Sequence, residues 1–585
     1  MDAALLTQRL RHQAIALAPK VKATDKSNAT TLGAQIAGSG TFWVNGLAQG
    51  GCDCTPPSTA PQPDPTPLQT FVFETQEQVF QYIVRTNCGP TRASRFLYLW
   101  MNTVASAYSW VQTTGPLSTV VDGWDWAVHY PLSNIGFVSA WMTQCLAFAM
   151  PLLFPGGANP PTAQQLYLLE RNLRLWTPLE QSVQAGYVKE NGQFALWQAA
   201  WVAWFAARQL DGFVAAQVPP TFSQLPNGGL LLDPATTQDI SGTYPNPYQW
   251  TPLVLNSIPK PYYTRTWENV RSVVLTTAND TAAKTAAAPF FPGPNTPPPI
   301  PPTTNTAQRQ AELDDVVYKT GLLGIPGVFS DTEKIKAEFW AGGPNTITPP
   351  GQFMWLWRQH ALAFSISQQK AYGYSSLFYS GLDLAINLFE MGRVAWGLKL
   401  QYVQARPIQD IRRNYATTDI SGWRTTLDPG TGQLLPAADI SGNVWLPYQA
   451  ANFVTPPFPD FVSGHSSYSE VFALVMAGWY GATIPLSPPT NATDLPLFSP
   501  IFHGAQALPF GVFQVSPGAS EIQPGLVPQA PVTLSFATYQ EMAISAGYSR
   551  QWGGIHALSA HTGGRAAALS VHAAIQAALG GLAPL

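Results

Sequence analysis

The sequence has few charged residues for its length. Its 585 residues include 30 Lys and Arg and 33 Asp and Glu, so that charged residues make up 11%, whereas about a quarter is usual. The formal net charge is -3 at pH 7. Nucleic-acid binding depends on a positively charged surface, so this composition argues against nucleic acid as the main partner.

Cysteine is also scarce. The four cysteines are Cys52, Cys54, Cys88 and Cys145. A single residue separates the first two, which is too close for the usual zinc knuckle, and no second closely spaced pair completes one. Buried or free thiols are therefore predicted, and a disulfide is the open alternative.

Long uninterrupted apolar runs are absent as well. The two most apolar stretches are residues 135–154 and 194–210, but both contain polar residues and the second has only 17 residues, whereas a membrane-spanning helix needs about 20. The first 22 residues contain no continuous apolar segment of the secretory-signal type. We therefore expect a soluble protein without a signal peptide or a transmembrane helix, and its compartment stays open.

Apolar residues are abundant, in contrast. They make up 46% of the chain, with 20 Trp, 29 Phe and 21 Tyr, alongside 54 Pro and 47 Gly. Apolar side chains recur at helical spacing along most of the chain. These features predict a mainly α fold with two helical-bundle halves and long Pro/Gly-rich loops.

The proline distribution suggests where these halves meet. We predict an N-terminal arm at 1–65, an N-terminal helical domain at 66–285, a Pro-rich linker at 286–305 and a C-terminal helical domain at 306–585. The tetrad Asp-Ile-Ser-Gly, which begins at Asp239, Asp419 and Asp439, predicts turns.

The first motif that carries chemistry is Lys399-x6-Arg406-Pro407. Seven positions along a helix return to nearly the same face, so both cations are expected to project from the last turns of one long helix. Pro407 is expected to end that helix. Two solvated cations at a helix C-terminus would explain the pair equally well if it stood alone.

The second motif, Ser463-Gly464-His465, precedes an apolar helix. Backbone N–H groups at a helix N-terminus bind anions. Gly464 would let a ligand approach the backbone closely, and His465 could exchange a proton. An ordinary capped helix with an exposed histidine is the alternative.

The third motif is Ser549-Arg550-x5-His556. On an unbroken helix the arginine and histidine would face different directions, so Gly553 and Gly554 are predicted to break the helix and let both reach one centre. The alternative is a glycine turn with a structural histidine. Together the three motifs supply three cations, two neutral donors and two histidines, which suit a tetrahedral oxyanion.

In this order the three motifs resemble the signature shared by vanadium-dependent haloperoxidases and the type 2 phosphatidic acid phosphatase superfamily. Trp340, Trp396 and Phe458 stand where similar vanadium chloroperoxidases carry Trp, Trp and Phe. Many bromoperoxidases carry His in place of that Phe. The resemblance therefore favours a vanadium chloroperoxidase-like fold and activity.

The resemblance implies a vanadate cofactor, with hydrogen peroxide and halide as substrates and a small organic acceptor as a further possibility. His556 would be the vanadium ligand, and His465 the acid–base group. Lys399 would polarise the peroxide. The vanadate oxygens would be held by Lys399, Arg406, Ser463, Gly464 and Arg550.

Two other functions fit the same motifs. With phosphate in the pocket, His556 would be the nucleophile of an acid phosphatase and His465 would protonate the leaving group. An inactive oxyanion-binding scaffold is the third hypothesis.

The chain departs from the family pattern in three places. Val462 replaces the usual proline, Ala560 replaces a frequent acidic residue, and Ala-Gly-Gly follows Trp340 where an acidic stretch is expected. No aspartate partner for Arg550 is therefore evident, which leaves the halide preference open.

Overall fold

The computed structural model describes residues 67–109, 135–154, 193–217, 248–255, 258–260, 262–293, 306–367, 374–484, 505–507 and 511–579. Helices dominate these residues, which confirms the predicted mainly α class. The helices are α1 (Pro67–Arg85), α2 (Pro90–Ser109), α3 (Ile135–Leu153), α4 (Gln193–Gln209), α5 (Phe213–Gln217), α6 (Thr277–Ala287), α7 (Ala307–Leu322), α8 (Val328–Phe339), α9 (Thr348–Ser367), α10 (Tyr374–Tyr402), α11 (Pro407–Asn414), α12 (Gly464–Tyr480), α13 (Tyr539–Trp552) and α14 (Leu558–Ala578).

The strands are short and every pairing between them is antiparallel. They are β1 (Leu253–Leu255), β2 (Ile258–Lys260), β3 (Asp419–Ser421), β4 (Thr426–Leu427), β5 (Leu434–Leu435), β6 (Asp439–Ser441), β7 (Ala505–Ala507), β8 (Val512–Val515) and β9 (Val532–Ser535). They pair as β1-β2, β3-β6, β4-β5 and β7-β8-β9.

Two copies of the Asp-Ile-Ser-Gly tetrad correct the turn prediction. Those at Asp419 and Asp439 begin β3 and β6, which pair with each other so that Ile420 lies opposite Ile440. Both isoleucines pack with a small apolar cluster that includes Leu313. Burial of a β-branched side chain therefore favours strand over turn here. The copy at Asp239 lies outside the described residues.

A central helix organises the core. Every residue of α10 from 377 to 399 is buried, as expected for a helix surrounded by others on all sides. α10 packs against α2 on one side and α12 on another, and α12 in turn packs against α13 and α14. One apolar cluster extends from Val72 to Leu579, so helices from both predicted halves contribute to the same core.

The segment near the predicted linker is helical at its start. α6 packs against α14 and α10, and the short 3-10 helix Ala288–Phe290 follows it directly. The predicted arm and residues 294–305 lie outside the described residues, as do Cys52 and Cys54. Cys88 and Cys145 are buried free thiols.

Membrane crossing requires a long and strongly apolar helix. Among the described helices, none meets that requirement.

Candidate oxyanion site

Lys399 and Arg406 belong to two different helices. α10 ends at Tyr402, where the next residue, Val403, has a positive φ of 45°, and Arg406 is the N-cap residue of α11. The expectation that both cations lie in the last turns of one helix is therefore wrong. Pro407 begins α11, because its fixed φ suits the first helical position, where an N–H has no helical partner.

The ammonium group of Lys399 is held by main-chain carbonyls. Its Nζ donates to the oxygens of Pro459 at 2.7 Å, Asp460 at 3.1 Å and Val462 at 2.5 Å. A lysine has three N–H donors, so all of them are engaged. Lys399 therefore contributes a buried positive charge and fixes the loop that leads into α12.

α12 begins at the second motif, as predicted. Ser463 is its N-cap, and the Ser463 hydroxyl oxygen accepts from the Ser466 N–H at 3.3 Å, which still leaves the hydroxyl hydrogen to donate. A Cβ added to Gly464 would lie 3.9 Å from both Trp396 and Tyr468. Protein packing therefore does not require glycine at this position, whereas a ligand close to the backbone would.

Two glycines separate Arg550 from His556, as predicted. α13 ends at Trp552, Gly553 is its C-cap, and Gly554 has a φ of 72°, which glycine adopts without strain. The chain turns back so that the His556 N–H donates to the Arg550 carbonyl oxygen at 3.3 Å. The helix break thus brings the backbone of His556 back to the last turn of α13.

The imidazole of His556 lies between a carboxylate and a guanidinium group. Its Nδ1 is 2.6 Å from Oδ1 of Asp460, and its Nε2 is 3.1 Å from Nη1 of Arg406. Because a carboxylate accepts and an arginine donates, Nδ1 carries the hydrogen and Nε2 presents its lone pair. Burial, followed by the charge of Arg406, lowers the pKa of His556 to about 3. The neutral ring can therefore act as a ligand or a nucleophile through Nε2.

Asp460 is held in turn by Arg309 of α7. Arg309 Nη1 donates to Oδ2 of Asp460 at 3.0 Å, while its Nε and Nη2 donate to Oδ2 of Asp410 at 3.0 and 2.8 Å. Burial alone would raise the pKa of Asp460, but the hydrogen bond from His556 and the charge of Arg309 hold it at about 2. Asp460 is therefore an ionised partner for His556.

Three buried nitrogen atoms around this centre have no protein partner. Within the described part of the chain, none is found for Arg406 Nη2, Arg550 Nη1 or His465 Nε2. The three side chains are 1%, 0% and 9% exposed, respectively. An unsatisfied buried polar group costs about 1–3 kcal/mol, so native proteins seldom leave several together. The two arginine nitrogens can only donate, so they require an acceptor such as an oxyanion oxygen, whereas Nε2 of a neutral His465 presents a lone pair that can take a proton.

The buried cations lack a matching set of carboxylates. Burial lowers the pKa of Arg406 to about 10, that of Arg550 to about 9, and that of Lys399 well below its usual value. Among the described residues no carboxylate shifts the pKa of Arg550, which donates instead to the Ser549 hydroxyl and the Ala337 carbonyl. A bound anion would favour the charged forms of all three cations.

Two of the predicted aromatic residues flank the cations. The ring centroid of Phe458 lies 5.1 Å from Lys399 Nζ and 5.0 Å from Arg406 Cζ. Trp396 packs on Phe458 with a centroid distance of 4.9 Å. These rings exclude water from one side of the site, which strengthens its electrostatic interactions.

Trp340 is connected to the site through its backbone. Its indole N–H donates to the Ser545 hydroxyl at 3.1 Å, which directs the ring into the core. Burial and the nearby charge of Arg550 lower the pKa of His465 well below its usual value, and hydrogen bonds with the backbone of Trp340 and Ala341 oppose that shift. The main chain at 340–341 therefore orients His465.

A family model matches the part of the chain that contains this centre. Residues 382–579 match the VCPO second helical-bundle domain, a domain of vanadium chloroperoxidases. In fold, this chain is vanadium haloperoxidase-like. All residues contributed by the three motifs fall within the matched segment.

Solved structures share this haloperoxidase fold over most of the chain. An apo-type bacterial vanadium-dependent chloroperoxidase has a TM-score of 0.55 and 16% identity, covering 84% of this chain and 96% of that chain. A bacterial vanadium-dependent iodoperoxidase has a TM-score of 0.51 and 17% identity, covering 89% and 98%. At these identities the likeness shows the fold alone. No curated protein sequence matches this chain.

The three sequence motifs do not include two charged residues that the structure places at this centre, Asp460 and Arg309. Asp460 stands two positions after Phe458 and three before Ser463, so its location beside a motif is the only sequence signal. Arg309 lies in α7, far from every motif along the chain, and only the packing of α7 brings it to Asp460.

Proposed function

We propose that this chain is a vanadate-dependent haloperoxidase that uses hydrogen peroxide to oxidise a halide to hypohalous acid or an equivalent halogenating species. The supporting observation is the group of unpartnered buried nitrogen atoms on Arg406, Arg550 and His465 beside the Nε2 lone pair of His556. Planar guanidinium groups match the oxygens of an oxyanion, and a neutral imidazole nitrogen is a common metal ligand.

One residue of the site would bind vanadium, and the others would bind the oxygens of vanadate. His556 would bind vanadium through Nε2, while Asp460 keeps the hydrogen on Nδ1. The remaining donors would hold the vanadate oxygens: Arg406, Arg550, the Ser463 hydroxyl and the Gly464 backbone N–H. When bound, vanadate supplies a Lewis acid that activates peroxide without a redox change at the metal.

Lys399 and His465 would assist the chemistry itself. The buried charge of Lys399 would stabilise negative charge that develops on peroxide oxygen, and its three carbonyl partners fix its position. His465 is neutral, because burial lowers its pKa, and it is the most exposed of the polar site side chains. It would therefore take a proton from incoming peroxide and return it later.

Reconstitution with orthovanadate tests this function directly. Vanadate-free protein should show no bromination of a β-diketone in peroxide and bromide, and added vanadate should produce it. Excess phosphate should suppress the activity, since both oxyanions need the same donors. Activity that needs no vanadate, or that phosphate leaves untouched, would rule the proposal out. If the protein hydrolyses an aryl phosphate and vanadate inhibits that hydrolysis, it is a phosphatase instead. If it binds an oxyanion but catalyses neither reaction, it is a scaffold.

The negative charge of Asp460 beside His556 should strengthen vanadate binding. Asp460→Asn keeps a hydrogen-bond acceptor for Nδ1 but removes the negative charge, so vanadate should bind about 10- to 100-fold more weakly. Equilibrium dialysis at fixed pH measures this affinity. Asp383→Asn is the matched control, because Asp383 is a buried aspartate on α10 that lies roughly 24 Å along the helix from Lys399. Equal vanadate affinity in the two variants would contradict the prediction.

A further inference from the structure

A cavity of about 500 Å³ adjoins the oxyanion site. It lies between α1, the end of α8 and loops that include residues 449–453. Ala337 and Ala341 line it, and the same two residues contact the site: the Ala337 carbonyl accepts from Arg550, and the Ala341 backbone hydrogen-bonds with His465. Ala337 and Ala341 thus lie between the cavity and the site, on the side of His465.

The cavity has an apolar interior and a polar rim. Phe80 and Ile347, which are only 1% and 2% exposed, belong to its apolar lining. The other large apolar side chains of the cavity are Val84, Phe453 and Ile522. The exposed polar side chains at the rim are Gln81, Arg85, Asn345, Asn452 and Glu521. Sites for small organic molecules combine these two features and commonly occupy about 300–1,000 Å³.

The charges of the cavity disfavour an anionic ligand. It contains three acidic residues, Glu77, Glu338 and Glu521, and one basic residue, Arg85. Glu338 already accepts hydrogen bonds from the Tyr448 hydroxyl and from Glu521 N–H. A neutral molecule with an apolar ring and one or two polar groups fits this arrangement best.

We propose that this cavity binds a neutral, electron-rich aromatic acceptor such as a phenol, and that halogenation occurs there. The proposal rests on the haloperoxidase function above, which supplies the hypohalous acid. A ring carbon would form the C–Br bond as the O–Br bond breaks, and the leaving hydroxide would combine with the displaced ring proton to give water. A phenol, with a pKa of about 10, stays neutral near pH 7.

Gly343 provides a way to fill the cavity. A Cβ built on Gly343 would lie 3.5 Å from the Phe453 ring, which is ordinary contact, and its φ is not in the left-handed region. Gly343→Leu should therefore occupy the cavity without backbone strain. Gly478→Leu is the matched control, because this exposed glycine of α12 has nothing within 4 Å of its added Cβ. Phe453→Ala is a second variant that removes a ring contact without adding bulk.

Two measurements on the full chain separate the proposals. Equilibrium dialysis of 2-naphthol against vanadate-free protein reports binding, and triiodide formation from iodide reports halide oxidation without an organic acceptor. We expect Gly343→Leu to weaken 2-naphthol binding about tenfold, to raise its KM in bromination similarly, and to leave triiodide formation within about twofold. Phe453→Ala should also weaken binding, and Gly478→Leu should change neither quantity.

The results that would overturn the cavity proposal differ from those that would overturn the haloperoxidase function. If wild type does not bind 2-naphthol, or if Gly343→Leu and Phe453→Ala bind it as wild type does, the cavity proposal is overturned. If no form produces triiodide with vanadate present, the haloperoxidase function fails, whatever the dialysis shows. Thermal unfolding of each variant verifies that it is folded.

Discussion

His556→Ala should lose vanadate-dependent bromination almost entirely, a fall on the order of 10³-fold or more. The other donors of the site interact with an oxyanion through hydrogen bonds and charge. His556 instead has a lone pair on Nε2, which would bond to the metal in place of the hydrogen bond that it accepts from Arg406 Nη1. Without that bond, nothing fixes vanadium relative to Lys399 and His465. Vanadate affinity from equilibrium dialysis should fall together with turnover.

His572→Ala is the control for this variant. His572 is a partly buried histidine of α14, and its Nδ1 lies 3.0 Å from Oδ1 of Asn387 on α10, away from the oxyanion centre. It should keep wild-type vanadate affinity and activity. Retention of vanadate-dependent bromination by His556→Ala would refute the metal-ligand role. An aryl phosphatase activity that disappears in His556→Ala would identify His556 as a nucleophile instead.

The helix termini show how far a sequence can predict this site. Ser463 and Gly464 predict the start of a helix, and α12 begins there. Gly553 and Gly554 predict the end of a helix, and α13 ends just before them. Local conformational preferences of serine and glycine determine these features, so a short window of sequence is sufficient.

The route from Lys399 to Arg406 depends on longer-range contacts. Helical spacing alone favours one continuous helix, but the chain leaves it at Val403, where the Trp250 N–H donates to the Val403 carbonyl and the Ala405 N–H donates to the Tyr248 carbonyl. These partners lie about 150 positions earlier in the chain. No local pattern encodes such a pairing. The helical periodicity therefore predicted the wrong course of the backbone, although the charged groups of Lys399 and Arg406 both lie beside the Phe458 ring.

The partners of the site charges were the least predictable part. Arg309 and Asp460 are neither close in sequence nor part of one motif, yet they form a buried pair that positions His556. A charge far from every motif usually belongs on the surface. Only the packing of α7 against α11 and α13 shows that Arg309 is inside.

Arg309→Met should lower the free energy of unfolding by about 3–5 kcal/mol, because it leaves buried carboxylates without their cation. Arg309 is 2% exposed and bridges Asp410 and Asp460 while also donating to the Ala405 carbonyl at 2.8 Å. Urea unfolding at pH 7 measures the loss. Lys336→Met removes a pair with Glu333 in which the lysine is 30% exposed, so it should cost less than about 1 kcal/mol.

The loss of unfolding free energy in Arg309→Met should depend on pH, whereas a loss caused by packing alone would not. Asp460 has a folded-state pKa of about 2, against about 3.9 when unfolded, so its pairing stabilises the fold above the unfolded value and is lost as pH falls toward 2. Without Arg309, burial raises the pKa of Asp460, and the folded variant takes up a proton at higher pH. The stability difference from wild type should therefore be largest near pH 7 and shrink toward pH 4. A deficit of constant size across that range would show that Arg309 acts by packing alone.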